Sequence, residues 1–297
     1  MTLRLKKSCA ATVKTLAVVA RSRNAQPPET ISDAVAVEEP LEIRVNGQPV
    51  SVTMRTPGHD DELAAGFLLS EDLLAARDDL AEIIRPLRGK NDLRGSNWIN
   101  VRLADGVKCD FAQLTRHVFA SSSCGLCGKA TIASIQQKHP PLAARNKFTV
   151  RAEVLRALPN LLRDQQATFD QTGGLHAAAL FDHNGKLLAL REDVGRHNAV
   201  DKVLGSQWLK RKWPLHQAIL LVSGRTSFEI LQKSLVARVP VVAAVSAPSS
   251  LAVDFAERSG QTLVGFLRGD GMNIYTHPHR ILWDKPHAAA TGNRIAD

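Results

Sequence analysis

The clearest structural signal in this chain is the stretch AILLVSGRTSFEI, residues 218–230. Its first five residues are apolar and predict a buried strand, and the polar turn at 223–227 then opens a helix. A buried strand followed directly by a helix is typical of α/β proteins, in which helices cover a sheet of parallel strands. The stretch therefore predicts an α/β fold.

The same alternation extends to both sides of this stretch. We predict strands over residues 176–181, 186–192, 218–222, 241–245 and 262–267, and helices over 153–164, 197–211, 228–237 and 250–258. Polar turns at 223–227, 246–249 and 265–271 follow consecutive strands, and the ends of parallel strands share one edge of a sheet. The pattern predicts an α/β domain over residues 148–285 with a mixed, largely parallel sheet and a ligand crevice at that edge.

The part of the chain before this domain shows a different pattern. Two hairpins are predicted, over residues 41–55 around Asn46-Gly47 and over residues 98–111 around Asp105-Gly106. Between them, the acidic run 60–62 opens a helix that we expect to reach about residue 76. These signals predict a smaller, hairpin-rich N-terminal domain over residues 35–147.

Composition limits the class of protein. The first 28 residues contain basic but no acidic side chains, so we expect a flexible basic tail over 1–34, and a frayed tail over 286–297. A net charge of +9 favours anionic partners, whereas only 5% aromatic residues disfavours nucleic acid. No apolar run approaches the roughly 18 residues of a membrane span. Four unevenly spaced cysteines do not suggest a disulfide framework, so a cytoplasmic location is expected.

Cys124 and Cys127 form a C-x-x-C pair in the stretch SSSCGLCG, residues 121–128. Such a pair can bind a soft metal, form a disulfide or carry a sulfur atom. A structural zinc site would need two further ligands, and a thioredoxin-like site would need a strand-to-helix turn rather than the loop after a hairpin that is expected here. The surrounding serines and glycines argue against two small buried residues. The pair alone leaves these chemistries open.

A second polar cluster, residues 191–202, lies at a predicted junction of strand and helix, where α/β sheets bind ligands. Gly195 would permit close approach of a ligand, and Asp193 could orient the imidazole of His197. The groups that could meet a phosphate are Arg196, His197 and Lys202, with Ser223 and Arg225 at the next junction. A capped helix with surface ion pairs would give a similar pattern. The turn at 223–227 lacks the lysine and spacing of a P-loop, so nucleotide hydrolysis is not implied.

His176 starts a predicted strand after a glycine pair, and a structural histidine would explain it equally well. A zinc deaminase would need glutamate two residues after this histidine and a C-x-x-C pair downstream of it. Ala178 occupies the first position and the cysteine pair lies upstream. Deaminase chemistry is therefore excluded.

Ordered motifs over residues 35–282 resemble the FdhD family, the formate dehydrogenase accessory sulfurtransferases. The N-terminal motifs that carry the resemblance are Pro57-Gly58, Glu62-Leu63, Gly66-Phe67 and the C-x-x-C segment 124–128. The central ones are Thr172-Gly173, His176-Ala177-Ala178, residues 192–197, Asp201-Lys202, Ser223, Arg225, Ser227, Glu229 and Lys233-Ser234. The last are residues 245–247, 251–253, 262–266 and 275–278.

The resemblance implies a sulfurtransferase that accepts persulfide sulfur from a cysteine desulfurase. It implies delivery of this sulfur to Mo-bis(molybdopterin guanine dinucleotide), bound as a substrate and required by formate dehydrogenase, and no permanent cofactor or metal. It also implies a cytidine-deaminase-like C-terminal domain without zinc, and a homodimer. By the same resemblance Cys124 carries the persulfide, Cys127 assists, and the cofactor contacts Phe266, Leu267, Arg268, Gly269, Asp270 and Gly271.

Two other functions are consistent with these residues. One is a non-catalytic accessory protein that binds the molybdenum cofactor or zinc and transfers no sulfur. The other is a dithiol oxidoreductase that uses Cys124 and Cys127 as a redox pair.

Overall fold

The computed structural model describes residues 11–20, 29–86, 97–107, 111, 139–143 and 147–283. The elements of its N-terminal part are β1 (Val13–Ala20), β2 (Glu29–Ala36), β3 (Glu39–Val45), β4 (Gln48–Arg55), α1 (Asp60–Ser70), β5 (Leu80–Ile84) and β6 (Trp98–Leu103). The first elements of the C-terminal part are β7 (Val150–Arg151), α2 (Ala152–Arg163), α3 (Ala167–Thr172), β8 (His176–Phe181), β9 (Leu187–Asp193) and α4 (Arg196–Leu209). They continue with β10 (Ile219–Val222), α5 (Phe228–Val236), β11 (Val241–Ala244), α6 (Ser250–Ser259), β12 (Thr262–Arg268), β13 (Gly271–Ile274) and β14 (Ile281–Leu282).

Short 3-10 helices at Arg77–Asp79 and Pro278–Arg280 precede β5 and β14. Among the helices that the structure describes, none combines the length and the apolar character needed to cross a membrane.

The N-terminal part is a four-stranded sheet in the order β4-β3-β6-β5, with α1 packed against it. Alternate residues of β3, Leu41, Ile43 and Val45, are buried under this helix. The hairpin predicted at Asn46-Gly47 is confirmed, because β3 pairs with β4 and both turn residues have positive φ, as a two-residue hairpin turn requires.

Two N-terminal predictions are wrong. Helix α1 ends at Ser70 instead of about residue 76, because the chain reverses at the left-handed Asp72 and Leu73 donates its backbone N–H to the Leu68 carbonyl. The second hairpin does not form. β6 pairs in parallel with β3 and antiparallel with β5, while Val107 lies outside any strand and Phe111 is helical. The Asp105-Gly106 turn is a local feature, whereas β6 buries its apolar face only between two other strands.

The basic tail predicted over residues 1–34 also needs correction. β1 and β2 pair along their full length as an antiparallel ribbon, and β2 lies beside α3. β-branched residues such as Val13, Thr15 and Ile31 favour the extended backbone, a signal that the excess of basic residues obscured.

The C-terminal part is built on a six-stranded sheet in the order β13-β12-β11-β10-β8-β9. β10, β11 and β12 run parallel in its centre, and the pairings on both sides are antiparallel, so the sheet is mixed as predicted. In β10, Leu220 and Val222 join one buried cluster with α4, α5 and α6, while Ile219 and Leu221 join another with α2. Helices on both faces of a partly parallel sheet confirm the α/β class.

The two parts of the protein meet where α1 crosses α4 at two glycines. A Cβ atom on Gly66 would lie 2.0 Å from the carbonyl oxygen of Asp201, and one on Gly205 would lie 2.0 Å from that of Glu62. Trp208 of α4 is buried in the N-terminal core. Only glycine allows this approach of the two backbones, and it packs the middle and second half of α4 directly against α1.

Candidate functional site

One edge of the six-stranded sheet collects most of the predicted site residues. Because β10, β11 and β12 are parallel neighbours, the turns that follow them lie side by side. β8 runs antiparallel to β10, and β9 runs antiparallel to β8, so β9 has the same direction as the central strands. His176 pairs with Asp193, so the start of β8 and the end of β9 reach the same edge. We call this the C-terminal edge. The turns predicted at the ends of consecutive strands therefore lie side by side at one edge of the sheet.

The turn after β10 is held on both sides. Ser223 donates its backbone N–H to the carbonyl of Ala177 at 2.9 Å, and its hydroxyl accepts the N–H of the same residue at 2.9 Å. Thr226 forms a parallel bridge with Pro248 in the turn after β11. The hydroxyl of Thr226 is buried and has no hydrogen-bond partner among the residues that the structure describes. These contacts make the edge a fixed platform rather than a set of independent loops.

Four basic residues, His176, Arg196, His197 and Arg225, form what we call the basic cluster. Burial lowers the pKa of His176 from its ordinary value of 6.5, and the charges of the other three residues lower it further, against an opposing effect of Asp193. A Cβ atom on Gly224 would lie 3.1 Å from Nδ1 of His176, so glycine lets the turn pass directly over the imidazole. An anion bound here would relieve the repulsion among these groups.

His197 is oriented by α5. Its Nε2 lies 2.8 Å from Oε2 of Glu229 and 3.1 Å from the hydroxyl of Ser227. The interpretation that Asp193 orients this imidazole is wrong, because the carboxylate of Asp193 is occupied by other donors. Glu229 stands in the first turn of a helix that begins at the edge, and an acid in that position could have been considered from the sequence.

Asp193 and Lys202 form a buried ion pair below the basic cluster. Nζ of Lys202 lies 2.6 Å from Oδ2 of Asp193 and donates to the carbonyl of Thr56 at 2.8 Å. Asp193 also accepts hydrogen bonds from the N–H groups of Thr56 and Gly195 and from the side chain of Asn198. The side chain of Lys202 is 1% exposed, so it fastens α4 to β4 and is not presented to a ligand at the edge.

The segment predicted to contact the cofactor extends β12 beyond this edge into the turn toward β13. Phe266 has a positive φ of 52° and donates its N–H to the Ser246 carbonyl, and the guanidinium of Arg268 lies 5.7 Å from its ring centre. Arg268, Gly269, Asp270 and Gly271 are exposed. Leu267 is fully buried in the core between the sheet and α2, so its side chain does not face the edge. The remaining five residues lie where a ligand could reach them.

A cavity of about 570 Å³ adjoins the basic cluster between α2, α3 and the start of β8. Its walls include Gln166, Phe169, His176 and Ser223. Glu192 of β9 accepts the backbone N–H groups of Thr168 and Phe169 and thereby holds α3 in place. Gln166 and Phe169 could not be identified as site residues from the sequence, because only their position after α2 brings them to the glycine pair and His176.

Cys124 and Cys127 lie outside the described residues. The structure brings Arg196, His197, Ser223, Arg225, Phe266, Arg268, Gly269, Asp270 and Gly271 to the C-terminal edge. It separates Lys202 and Leu267 from that edge by burial.

Residues 36–282 of this chain match the model of the FdhD/NarQ family. Among curated proteins, the chain is 53% identical over 258 residues to a protein of Mycobacterium tuberculosis named sulfur carrier protein FdhD, covering 86% of this chain and 92% of that one. A protein of the same name from Streptomyces coelicolor is 52% identical over 256 residues, covering 85% and 90% of the two chains.

A similar fold occurs in a crystal structure from Desulfotalea psychrophila, provisionally assigned as a formate dehydrogenase accessory protein. The TM-score is 0.71 with 25% sequence identity, and the match covers 92% of this chain and 100% of that one. The residues matched by the family model include the four-stranded and the six-stranded sheet.

Proposed function

Since this chain belongs to the FdhD/NarQ family, we propose that it is a sulfurtransferase that takes part in the maturation of formate dehydrogenase. In this proposal Cys124 carries a persulfide and the C-terminal edge binds Mo-bis(molybdopterin guanine dinucleotide) as the substrate that receives the sulfur. The observation that carries the proposal is the basic cluster, which lies at the ends of parallel strands in a chain whose relatives are named sulfur carriers.

The chemistry of the edge suits a cofactor that contains diphosphate groups. Arg196 and Arg225 provide positive charge, and the turns before α5 and α6 present backbone N–H groups at helix starts. The cavity beside His176 has a volume within the range of small-molecule sites. His197, held by Glu229, would contribute a fixed hydrogen-bond donor or acceptor to the same ligand.

Sulfur transfer can be written as two balanced exchanges. The Cys124 thiolate attacks the outer sulfur of a desulfurase persulfide, which forms the Cys124 persulfide and releases the desulfurase thiolate. The Cys127 thiol then attacks the inner sulfur, which releases hydrosulfide toward the molybdenum and leaves a Cys124–Cys127 disulfide. A thiol reductant restores the dithiol. This sequence gives Cys127 the assisting role expected from the family resemblance.

The partners in this proposal come from the family resemblance, and the location comes from the composition of the chain. A cysteine desulfurase donates the sulfur, formate dehydrogenase receives the sulfurated cofactor, and two copies of the chain act as a homodimer in the cytoplasm.

The experiment that tests sulfur carriage is mass spectrometry of the intact protein after incubation with a cysteine desulfurase and cysteine. We expect one added sulfur, removable by a thiol reductant and absent in Cys124→Ala. Cys109→Ala serves as the matched control, because it removes a cysteine outside the C-x-x-C pair and should still acquire the sulfur.

Three outcomes would contradict the proposal. They are no added sulfur, equal loading of Cys124→Ala and the unchanged chain, or stoichiometric zinc bound by the two cysteines. The last outcome would favour the accessory protein that only binds metal or cofactor.

A further inference from the structure

The opposite edge of the six-stranded sheet contains a second cavity, of about 580 Å³, that the proposed sulfur transfer does not use. His183 lies in the turn between β8 and β9, His216 precedes β10, and Arg238 connects α5 to β11. These positions are at the beginning of the parallel strands, whereas the basic cluster is at their end. The cavity is therefore separated from the C-terminal edge by the length of the sheet.

The charge of this cavity is of one sign. Lys147, His183, His216 and Arg238 line it, and no acidic residue does so among the described residues. The nearest carboxylate along the chain, that of Asp182, accepts the backbone N–H groups of Asn184 and Lys186 at 2.9 Å each and so is used within its own turn.

Arg238 is held in a backbone conformation that normally favours glycine. The end of α5 is a Schellman motif, in which Val239 donates to the carbonyl of Ser234, Arg238 donates to that of Leu235, and Arg238 has a φ of 62°. A residue other than glycine is strained at this position, and backbone strain of this kind is concentrated at functional sites. Its guanidinium donates to the carbonyls of Pro140 and Pro141, contacts that orient it without neutralising its charge.

The cavity also has an apolar wall, formed by Leu142 and Phe148, which are 6% and 8% exposed. Its volume lies within the range of small-molecule sites, and its walls come from four separate segments of the chain, so it is a concave site rather than a flat patch. Positive groups beside an apolar wall suit a molecule with one anionic end and one ring or aliphatic body.

We propose that this cavity binds a phosphorylated small molecule, with the phosphate at Arg238, Lys147 and the two histidines and the body against Phe148 and Leu142. The site is independent of the C-terminal edge. The C-terminal dipole of α5 opposes an anion here, but the Schellman hydrogen bonds already occupy the carbonyls of Ser234 and Leu235, and Arg238 adds a full positive charge.

Isothermal titration of the full chain with adenosine monophosphate, and separately with inorganic phosphate, tests this proposal. We expect saturable binding of both, tighter for the nucleotide, and a loss of about tenfold or more in the double variant Lys147→Ala, His216→Ala. Lys186→Ala is the matched control, because Lys186 is exposed in the turn that holds His183 but does not line the cavity. Binding of adenosine monophosphate that is lost in Arg225→Ala but kept in the double variant would belong to the C-terminal edge and would overturn the proposal.

Hydrogen exchange of the unaltered chain provides a second readout that needs no variant. Adenosine monophosphate should protect the backbone around residues 182–184 and 215–218. No binding of either probe, equal loss in Lys186→Ala, or protection only at the C-terminal edge would overturn the proposal. A further outcome would also overturn the proposal. If neither probe binds and the double variant binds the desulfurase more weakly, the cavity is a contact site for an acidic protein surface.

Discussion

The two polar groups around α4 use similar residues for different purposes. Asp201 and Lys202 are 3% and 1% exposed, and each belongs to a closed ion pair, Asp201 with Lys233 at 2.7 Å and Lys202 with Asp193 at 2.6 Å. By contrast, the side chain of His197, about one turn earlier on the same helix, is 31% exposed. The buried pairs fix α4, while the basic cluster keeps positive charge available at the edge.

Burial explains why the two groups cannot exchange roles. Burial raises the pKa of Asp201, and the ammonium of Lys233 and the hydroxyl of Ser70 counter that effect. A buried charge that loses its partner is left without water, so the pair is held together by the cost of separating it. In the basic cluster, solvent supplies part of the missing neutralisation, and a ligand can supply the rest.

The largest expected effect is on stability and comes from the buried pair. Lys202→Ala leaves the Asp193 carboxylate buried without its cation, and we expect the free energy of unfolding to fall by about 3–5 kcal/mol. Urea denaturation followed by circular dichroism measures this change. Arg196→Ala removes a basic side chain from the same helix without opening an ion pair with Asp193, and should cost about 1 kcal/mol or less. An equal loss of unfolding free energy in the two variants would show that the buried pair stabilises the fold no more than the side chain of Arg196 does.

The next largest effect is on ligand affinity and comes from the basic cluster. Guanosine diphosphate can serve as a fragment of the proposed cofactor, and Arg225→Ala should weaken its binding by about 10- to 100-fold, because a charge-assisted hydrogen bond contributes about 1.5–3 kcal/mol. Arg225→Lys should recover only part of this affinity, since lysine lacks the forked geometry of arginine.

Isothermal titration measures both variants, and urea denaturation should show them as stable as the unchanged chain. If Arg225→Ala binds guanosine diphosphate as tightly as the unchanged chain, the C-terminal edge is not the cofactor site. Sulfur carriage by Cys124 is tested separately, by mass spectrometry.

The sequence was sufficient for the elements whose signals are local. The apolar strand β10 with the polar turn after it, and the hairpin at Asn46-Gly47, depend on neighbouring residues and were predicted correctly. The approximate bounds of α5 and α6 follow from the same kind of pattern.

Features that depend on contacts between residues far apart in the chain could not be predicted from the sequence. The sequence suggests Lys202 as a phosphate ligand, whereas in the structure its ammonium donates to the carbonyl of Thr56, which is distant in the chain. Gly66 and Gly205 reduce helix propensity locally, and only the crossing of α1 and α4 shows why glycine is required. The same holds for β6, whose turn suggests a hairpin while burial selects β3 and β5 as partners.

The smallest expected effect is a proton taken up when the basic cluster binds an anion. The pKa of His176 lies below 6.5 in the free protein because of burial and of the charges on Arg196, His197 and Arg225. A bound diphosphate offsets those charges and therefore raises this pKa, so the protein should gain protons on binding at about pH 6, close to the ordinary pKa of histidine. Titrating guanosine diphosphate in two buffers of different ionisation enthalpy measures this uptake. His176→Gln should reduce it, whereas His279→Gln, which removes an exposed histidine outside the cluster, should not. Proton release, or an uptake unchanged in His176→Gln, would mean that the anion does not bind beside His176.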